Sequence, residues 1–460
     1  MELLAPAGGW EQLQFAIRFG ADAVYLATDK FGMRARADNF QLEEMPKVVA
    51  YAHDRGVKVH VTVNTQMYEH DLEDLAHTME AHGQAGVDAF ILGDLGALAL
   101  AKEHAPQVDI HVSTQASISN TQAALTWYNL GAKRIVCARE MSLADIAAMR
   151  AALPADLEIE AFAHGSMCMA VSGRCLISDY MTGRSGVAGN CAQPCRWKYA
   201  LVEETRPGQF FPVDEDERGS YIMNAKDLCM LEHLDELREA GIDSIKIEGR
   251  NKKAFYVATV VNAYRQVLDG ADPAAFMDEL DTVSHRPYGT GFYFGPAHQT
   301  PEDDRYTRNY QWVFEPLSSV VLTDDGTADV ALGSGTPSCC SKASSLPEGN
   351  FLGFSQQSEA PEPMLTDFST TGESSFVVTG LCRNKFEEGD TLEVLSPHQP
   401  VRTVTVQNLR YVGVDPDHPG FPPAADVFPG PVAAANRTME LYSFTIPFEA
   451  SEHDIFRLKK

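Results

Sequence analysis

Five of the nine cysteines in this 460-residue chain fall within a stretch of 70 residues that begins at Glu160. They are Cys168, Cys175, Cys191, Cys195 and Cys229. The first four lie among glycines and prolines, which favour loops over helices and strands. Thiolates gathered on loops are typical of a soft-metal site, because thiolate is the ligand that such metals prefer. We therefore expect metal chemistry in this stretch.

The spacing of the first four cysteines leaves three states of the thiols open. Six residues separate Cys168 from Cys175, fifteen separate Cys175 from Cys191, and three separate Cys191 from Cys195. Structural zinc sites usually begin with a closely spaced pair of cysteines, which is absent at Cys168 and Cys175. An iron–sulfur cluster is larger and accepts thiolates from separate loops. The spacing favours such a cluster, while a zinc site and thiols without a metal stay open.

Four of the remaining cysteines have other expected roles. Cys229 follows on a helical pattern, where it either replaces Cys195 as a metal ligand or packs in the core. Cys137 falls in an apolar strand pattern and is expected to be a small core residue. Cys339 and Cys340 are adjacent, and neighbouring cysteines rarely bind one ion together. We therefore expect these two to be incidental.

A cysteine-protease dyad is another way to use this stretch. His164 lies four residues before Cys168, and a nucleophilic thiol needs a nearby base. The nucleophile and base of such enzymes usually come from distant segments of the sequence, however. Five clustered thiols also indicate a metal more than a single activated nucleophile. We therefore expect His164 to be a buried histidine that makes a hydrogen bond.

A short pattern recurs four times in the first half of the chain, with a glycine that ends a helical pattern and an apolar strand after it. The copies are Gly20–Ala27, Gly86–Gly93, Gly131–Cys137 and Gly241–Glu248. Further strand candidates are Glu2–Ala5, Val57–Val63, Val108–Ser113, Glu158–Ala163 and Tyr221–Met223. Glycine suits the end of a helix because it adopts the left-handed conformation without steric cost. Largely apolar strands are typical of a parallel sheet covered by helices.

Helical patterns alternate with these strand candidates. They cover Trp10–Phe19, Glu43–Arg55, Leu72–Ala85, Thr121–Leu130, Leu143–Ala152 and Lys252–Leu268. The alternation predicts an α/β fold with a TIM-like (β/α)8 barrel or a close variant of it. A doubly wound open sheet is the alternative. No Gly-x-Gly-x-x-Gly follows a strand, however, which removes the usual dinucleotide argument for that fold.

In a barrel of this kind, the site lies at the carboxyl ends of the strands. The residues expected there are Asn64, Thr65, Gln66, Asp94, Gln115, Ser117, Arg139, Glu140, His164, Asn224, Lys226, Asp227, Glu248 and Arg250. The candidate catalytic residues among them are Asn64, Gln115, Arg139, Glu248 and Arg250. The strand Glu158–Ala163 runs directly into the cysteines, so we expect the cysteines at the same rim.

The sequence pattern changes near residue 300, which predicts a barrel over residues 1–300 and a small all-β domain over residues 301–460. Strands with alternating hydrophobicity are expected at Gln311–Leu322, Phe376–Cys382, Thr391–Leu395 and Val401–Leu409. Residues 333–375 are rich in Ser, Gly, Pro and Glu, so we expect a mobile insertion there.

The net charge of −27 argues against non-specific binding to nucleic acid, although a local basic strip remains possible at Arg174, Arg184, Arg196 and Lys198. No apolar run approaches the length of a membrane span, so no membrane association is expected. The N-terminus lacks the basic and apolar regions of a signal peptide, which favours a cytoplasmic protein with reduced cysteines.

The motifs around the cysteines resemble peptidase family U-32, the collagenase-like peptidases. The family signature Glu-x-Phe-x-x-Gly-Ser-x-Cys, followed by Ser-Gly-x-Cys-x-x-Ser, is met at Glu160, Phe162, Gly165, Ser166, Cys168, Gly173, Cys175 and Ser178. The resemblance extends to Leu4–Gly8, Gly20–Tyr25, Cys191–Trp197, Lys246–Arg250 and Ser284–Phe292. It therefore covers nearly the whole chain outside the expected insertion.

This resemblance implies a function other than the one in the family name. The better understood relatives are hydroxylases of RNA or of a quinone precursor, and they carry a 4Fe–4S cluster. The length, the β domain and the Cys-Arg-Trp-x-Tyr run of this chain are similar to those of tRNA enzymes that form 5-hydroxyuridine at the wobble position with prephenate. The resemblance implies a cluster on Cys168, Cys175, Cys191 and Cys195, with Cys229 as the alternative fourth ligand, and a tRNA anticodon loop as partner.

Two further functions fit the same motifs, namely a peptidase and a non-catalytic subunit that uses its cluster structurally. The cations expected to contact a phosphate or a dicarboxylate such as prephenate are Arg139, Arg250 and Lys226. Each of them is equally expected to form an ion pair with Glu140, Glu248 or Asp227.

Overall fold

The computed structural model describes residues 1–33, 37–167, 173–197, 200–201, 211–212, 226–295, 307–322, 375–414 and 429–460. These residues belong to two compact units. The first unit comprises Met1–Gln311, Pro397–Pro400 and Lys459–Lys460, and the second comprises Trp312–Ser396 and Val401–Leu458.

Eight parallel strands close into a barrel in the first unit. The first seven are β1 (Glu2–Pro6), β2 (Ala23–Leu26), β3 (Lys58–Val63), β4 (Ala89–Leu92), β5 (Asp109–Val112), β6 (Arg134–Val136) and β7 (Glu158–Ser166). The later strands of this unit are β8 (Ala200–Leu201), β9 (Phe211–Pro212), β10 (Asp227–Cys229), β11 (Ser244–Ile247) and β12 (Tyr288–Gly289). Strands β1 to β7 pair in chain order, and β11 closes the ring by pairing with both β7 and β1. The TIM-like barrel is therefore confirmed, and the doubly wound alternative is wrong.

Helices connect the barrel strands. They are α1 (Trp10–Arg18), α2 (Met45–His53), α3 (Leu72–Ala85), α4 (Leu95–His104), α5 (Thr121–Asn129), α6 (Leu143–Ala152), α7 (Ile177–Thr182), α8 (Leu234–Glu239), α9 (Ala254–Leu268) and α10 (Ala274–Leu280). The four glycines of the repeated pattern all have positive φ, as their place at helix ends requires: Gly20, Gly86, Gly131 and Gly241. None of the described helices is long and apolar enough to cross a membrane.

Helix α4 is one of the elements of the first unit that the sequence patterns miss. Its first turns alternate leucine with small residues, so they show neither a clear helical stripe nor a strand pattern. A local signal was nevertheless present, because the side chain of Asp94 caps the helix by accepting a hydrogen bond from the amide of Ala97 at 3.0 Å.

The connection from β7 to β11 is the irregular unit of the barrel. Strand β7 extends three residues beyond the predicted end at Ala163, and this extension pairs antiparallel with β10. Cys229 therefore lies on a strand opposite His164, and the predicted helical pattern at Cys229 is wrong. The α-helix begins at Leu234, directly after a 3-10 turn at Leu231–His233. The strand candidate Tyr221–Met223 and the site candidate Asn224 lie outside the described residues.

The interior of the barrel near the start of the strands is charged rather than apolar. Arg134 on β6 donates to Glu2 on β1 at 2.5 Å and to Glu160 on β7 at 3.2 Å. Lys246 on β11 donates to the other oxygen of Glu160 at 2.9 Å. Burial opposes the charged form of Glu2, but the hydrogen bond and charge of Arg134 lower its pKa to about 2. These charges form one paired network, which we call the interior network: Glu2, Arg134, Glu158, Glu160 and Lys246.

The second unit is an antiparallel sheet of eight strands with a two-stranded ribbon beside it. Its strands are β13 (Tyr310–Val321), β14 (Phe376–Cys382), β15 (Phe386–Glu387), β16 (Thr391–Leu395), β17 (Arg402–Thr405), β18 (Gln407–Val414), β19 (Gly430–Pro431), β20 (Ala434–Ala435), β21 (Glu440–Ile446) and β22 (Ile455–Lys459). The predicted strand Val401–Leu409 is two strands, interrupted where the amide of Val406 donates to the carbonyl of Asp390. The core is rich in phenylalanine: Phe314, Phe386, Phe444 and Phe456. All of the insertion predicted at 333–375 except Ser375 lies outside the described residues.

Candidate active site at the mouth of the barrel

Residues 173–197, which we call the cysteine segment, lie against the loops at the carboxyl ends of the barrel strands. The amide of Gln66, just past β3, donates to the carbonyl of Val187 at 3.0 Å. Gly173 has a φ of +74°, and a Cβ there would lie 2.0 Å from the carbonyl oxygen of Gln115, just past β5. Gly189 makes a similar close approach to Gly32, in the loop after β2. The segment is therefore seated on the mouth of the barrel, as the sequence predicts.

Ser178 on α7 holds two parts of the cysteine segment together. Its hydroxyl donates to the carbonyl of Arg184 at 2.6 Å and accepts from the amide of Ala192 at 2.9 Å. A Cβ at Gly186 would lie 3.8 Å from both the carbonyl oxygen of Cys175 and the Sγ of Cys191. The two cysteines are therefore on neighbouring stretches of chain, although fifteen residues separate them in the sequence.

The three described cysteines of the segment are partly exposed: Cys175, Cys191 and Cys195. The amide of Gln193 donates to the Sγ of Cys191 at 3.3 Å. Amide donors of this kind tune the potential of a metal centre bound to sulfur. Within the described ranges, no three side chains of His, Cys, Asp or Glu lie close enough together to hold a metal ion. Cys168 lies outside those ranges, so the set of four ligands stays a prediction.

The cysteines outside the segment have a different environment. Cys137 is buried just past β6, as predicted, and burial raises its pKa to about 12. Burial likewise raises the pKa of Cys229 to about 11. Its Sγ lies 3.9 Å from the hydroxyl of Tyr264 on α9, so this thiol faces a helix of the barrel wall. Partly exposed soft donors on one loop segment fit an iron–sulfur cluster in their chemistry, whereas these buried thiols fit a core role.

Arg139 is the most constrained cation of the mouth. Its guanidinium donates to the carbonyl of Ser166 at 2.8 Å and to the carboxylate of Glu248 at 3.1 Å. Its guanidinium carbon also lies 3.7 Å from the centre of the Phe162 ring. The side chain is only 7% exposed, and within the described residues its Nε has no hydrogen-bond partner. The expected ion pair with Glu248 is present, and one buried donor is left over.

Arg250, Asn64 and Gln115 complete the set of candidate catalytic residues. Arg250 is buried, and its Nη1 donates to the hydroxyl of Thr62 at 2.9 Å. Asn64 accepts from the amide of Met33 and donates to the hydroxyl of Ser113, both at 3.2 Å. Ser113 also accepts from the backbone amide of Gln115, so one hydroxyl contacts the side chain of Asn64 and the main chain of Gln115.

The profile of peptidase family U32 matches residues 8–303, which include most of the barrel and the cysteine segment. The chain belongs to this family. It is 41% identical over 340 residues to "tRNA hydroxylation protein P1" of Bacillus subtilis. That alignment covers 72% of this chain and 79% of the relative. A Porphyromonas gingivalis protein named "Collagenase" is 35% identical over an alignment that covers 64% of this chain and 73% of that protein. The "23S rRNA 5-hydroxycytidine C2501 synthase" of Escherichia coli is 38% identical over an alignment that covers 65% of this chain and 43% of that protein.

His164 of this U32 chain does not line the mouth, so that part of the prediction is wrong. Its ring lies toward α9 and the β12 strand, with centroids 5.5 Å from Tyr264 and 5.3 Å from Tyr288. The second expectation for His164 is confirmed, because it is buried and its Nδ1 lies 3.3 Å from the hydroxyl of Tyr264. Burial lowers the pKa of His164 to about 3.

Several other predicted rim residues have structural roles. Asp94 caps α4, and the hydroxyl of Thr65 donates to the carbonyl of Phe31 at 3.2 Å. Asp227 is buried in β10, where it accepts from the amide of Arg286 at 3.3 Å. The loops that follow the strands also carry Gln66, Ser117 and Glu140, whereas Lys226 directly precedes β10.

Sequence reasoning missed two residues that shape this U32 site. Phe162 supports the face of Arg139, and Ser113 accepts a hydrogen bond from the side chain of Asn64 and another from the backbone amide of Gln115. Both had a signal in the sequence. Phe162 belongs to the family signature, and Ser113 ends a predicted strand, where the carboxyl end of a barrel strand meets the site.

Proposed function

We propose that this chain is an RNA hydroxylase that converts the wobble uridine of tRNA to 5-hydroxyuridine. In this proposal a 4Fe–4S cluster is held by Cys168, Cys175, Cys191 and Cys195. The observation that carries it is the cysteine segment seated on the same barrel mouth as Arg139 and Glu248. The names of two relatives, one a tRNA hydroxylation protein and one an rRNA hydroxycytidine synthase, support hydroxylation of RNA.

The cluster, when bound, would supply electron transfer next to the substrate. The chain contributes the environment of the sulfurs. The amide of Gln193 points at Cys191, and Ser178 fixes the loops that carry Cys175 and Cys191. Cys195 fits the fourth position better than Cys229, because it lies on the cysteine segment whereas Cys229 is buried against α9.

The cations of the mouth are suited to a small anionic co-substrate such as the dicarboxylate prephenate. Arginine binds a carboxylate through a planar fork of donors, and Arg139 keeps one buried donor beyond its bonds to Glu248 and Ser166. Glu248 and Phe162 fix the plane of that guanidinium before any ligand arrives. Such preorganisation reduces the cost of ordering the site on binding.

The uridine itself would be read by neutral groups. The side-chain amide of Gln115 can donate and accept, which matches the alternating donor and acceptors on the edge of uracil. Asn64, held by Ser113 and Met33, is the neighbouring amide. A base in an anticodon loop is unpaired, so it can leave the stack and enter a pocket at lower cost than a base in a duplex.

A peptidase is the second candidate function, because one relative is named a collagenase. The expected dyad would use His164 as a base for the thiol of Cys168. A histidine with a pKa of about 3 that is buried among Tyr264, Tyr288 and α9 is a poor general base near neutral pH. This observation weighs against the dyad and favours the hydroxylase.

The decisive experiment compares tRNA nucleosides from a deletion strain and its parent by mass spectrometry, in a host without a second enzyme for 5-hydroxyuridine. We expect 5-hydroxyuridine and its derivatives to disappear on deletion and to return with the wild-type gene. Cys191→Ser should not restore them, whereas Cys339→Ser, a matched change outside the ligand set, should. Unchanged nucleosides in the deletion strain would reject the tRNA assignment. A bound cluster with unchanged nucleosides would instead support a non-catalytic subunit.

A further inference from the structure

Exposed apolar side chains are concentrated on the cysteine segment. Eight large hydrophobic side chains are exposed among the described residues of the first unit: Tyr68, Leu95, Leu130, Leu176, Tyr180, Met181, Trp197 and Phe294. Four of them fall within the 25 residues of the segment. Tyr180 is 94% exposed, although aromatic side chains of this size usually bury most of their surface, and Trp197 is 44% exposed. A cluster of this kind marks a surface that another molecule covers.

The two aromatic side chains project from backbone that is fixed. Tyr180 lies on α7, two residues after Ser178, whose hydroxyl makes two hydrogen bonds inside the segment. Trp197 ends the short turn that carries Cys195, and its amide donates to the carbonyl of Pro194 at 3.0 Å. A ring on ordered backbone loses little conformational freedom when a ligand stacks on it.

The charge of the segment is opposite to that of the chain. The whole chain has 37 basic and 64 acidic side chains, whereas residues 173–197 have three arginines and one aspartate. Arg174, next to Cys175, is exposed. A protein partner would favour an apolar patch with few charges at its centre. Exposed aromatic rings among cations instead match unpaired nucleic acid, since bases stack on the rings and phosphates attract the cations.

We propose that Tyr180 and Trp197 form a stacking platform for the unpaired bases beside the target nucleotide of an RNA loop, with Arg174 on the phosphate backbone. The inference rests on the proposed RNA hydroxylase function and adds where the loop is held. The platform lies on the segment that bears the cysteines, so a base stacked there keeps its neighbour close to the barrel mouth. Stacking depends little on base identity, so the platform would position the loop while the mouth selects the uridine.

The test measures binding of the iron-loaded protein to an RNA hairpin with an unpaired loop, by fluorescence anisotropy at low and moderate salt. We expect Tyr180→Ala and Trp197→Ala each to raise the Kd about tenfold or more. Tyr180→Phe and Trp197→Phe keep a ring and should change the Kd by about twofold or less. Leu130→Ala removes an exposed hydrophobic side chain elsewhere on the barrel and should have no effect. Iron content and circular dichroism of each variant show that it is folded and loaded.

The tryptophans provide a second readout. Of the four in the chain, Trp127 and Trp312 are buried and Trp10 is half-buried, so Trp197 is the one that a bound base can reach. Loop RNA should quench the intrinsic fluorescence of the wild type. That quenching should disappear in Trp197→Phe, although this variant still binds. Equal quenching in both proteins would contradict stacking on Trp197.

Failure of the platform and failure of the proposed function give different results. If the wild type binds loop RNA but the two alanine variants bind it equally well, the platform is wrong and the hydroxylase proposal stands. If the wild type binds no better to the hairpin loop than to a duplex of the same stem, both proposals fail. If the alanine variants lose self-association in sedimentation while keeping RNA affinity, the surface joins two copies of the chain, and the platform is again wrong.

Discussion

The two ends of the barrel interior use charge differently. Near the start of the strands, Arg134 and Lys246 are paired with carboxylates of Glu2 and Glu160 at 2.5 to 3.2 Å. At the mouth, Arg139 is paired on one side only and keeps a buried donor among the described residues. A network in which every charge is paired has no hydrogen-bond donor left for a ligand. An incompletely paired cation keeps one. We therefore expect the first end to hold the barrel together and the mouth to bind a ligand.

This difference follows from the fold. The long loops of the barrel follow the carboxyl ends of its strands, and one of these connections contains the cysteine segment. The opposite end has short turns, so its interior is closed by side chains alone. Two predictions separate the two ends and a third tests the barrel wall, and they follow in order of the size of the effect.

The largest effect is expected from the interior network. Arg134→Met should lower the free energy of unfolding by about 3–5 kcal/mol, because it leaves the buried carboxylate of Glu2 without a cation and leaves Glu160 with Lys246 alone. Chemical denaturation of the iron-loaded protein measures this change. The matched control is Lys30→Met, which breaks an exposed ion pair with Asp74 and should leave stability unchanged. Equal losses in both variants would mean that the network does not stabilise the barrel.

For a substitution at Arg139 we expect a large loss of activity and little loss of stability. Arg139→Lys keeps the charge but loses the planar fork, so we expect about 10- to 100-fold less 5-hydroxyuridine per loaded protein, with little change in stability. The measurement is complementation of the deletion strain at matched expression. Arg150→Lys on α6, whose guanidinium donates to the carbonyl of Leu157 at 2.6 Å, is the control and should remain active. Full activity of Arg139→Lys would show that the mouth does not depend on that fork.

The smallest effect concerns the barrel wall and pH. His82 on α3 is fully buried, and burial lowers its pKa to about 4. The folded protein keeps this ring neutral, whereas the unfolded chain takes up a proton below about pH 6.5, so stability falls as the pH drops from 6.5 to 4. His82→Leu should therefore remove about 2 kcal/mol of the stability lost between pH 7.5 and pH 5. Urea denaturation across this range measures the change.

A neighbouring histidine on the same helix is the control for that experiment. His77 is exposed, and His77→Leu should give a pH profile parallel to that of the wild type. If His82→Leu is also parallel to the wild type, then His82 is not the buried neutral group that the structure indicates.

The sequence was sufficient for the barrel because its signals are local. The glycines Gly20, Gly86, Gly131 and Gly241 end helices, and each is followed by an apolar strand. The last two long strands of the second unit, Glu440–Ile446 and Ile455–Lys459, were missed. They pair with strands far away in the sequence, and such pairing leaves only a weak local pattern.

The site was predictable in position but not in detail. The rule that barrel sites lie at strand ends located Arg139, Glu248 and Arg250. It failed for His164, because the pairing of β7 with β11 shifts register between Phe162 and His164, where Ala163 is the extra residue on β7. A bulge of this kind turns the next side chain to the other face of the strand, and here it turns His164 toward α9. Cys229 lies on β10 rather than on a helix because β10 pairs with β7, which is distant in the sequence.

The central claim is that the cysteine segment holds an iron–sulfur cluster at the mouth of the barrel. The direct measurement is iron and acid-labile sulfide per chain after anaerobic purification, with Cys191→Ser and Cys137→Ala prepared in parallel. We expect about four of each per chain in the wild type and in Cys137→Ala, and loss of both in Cys191→Ser. A colourless wild-type protein with one zinc per chain, or full iron in Cys191→Ser, would contradict the claim.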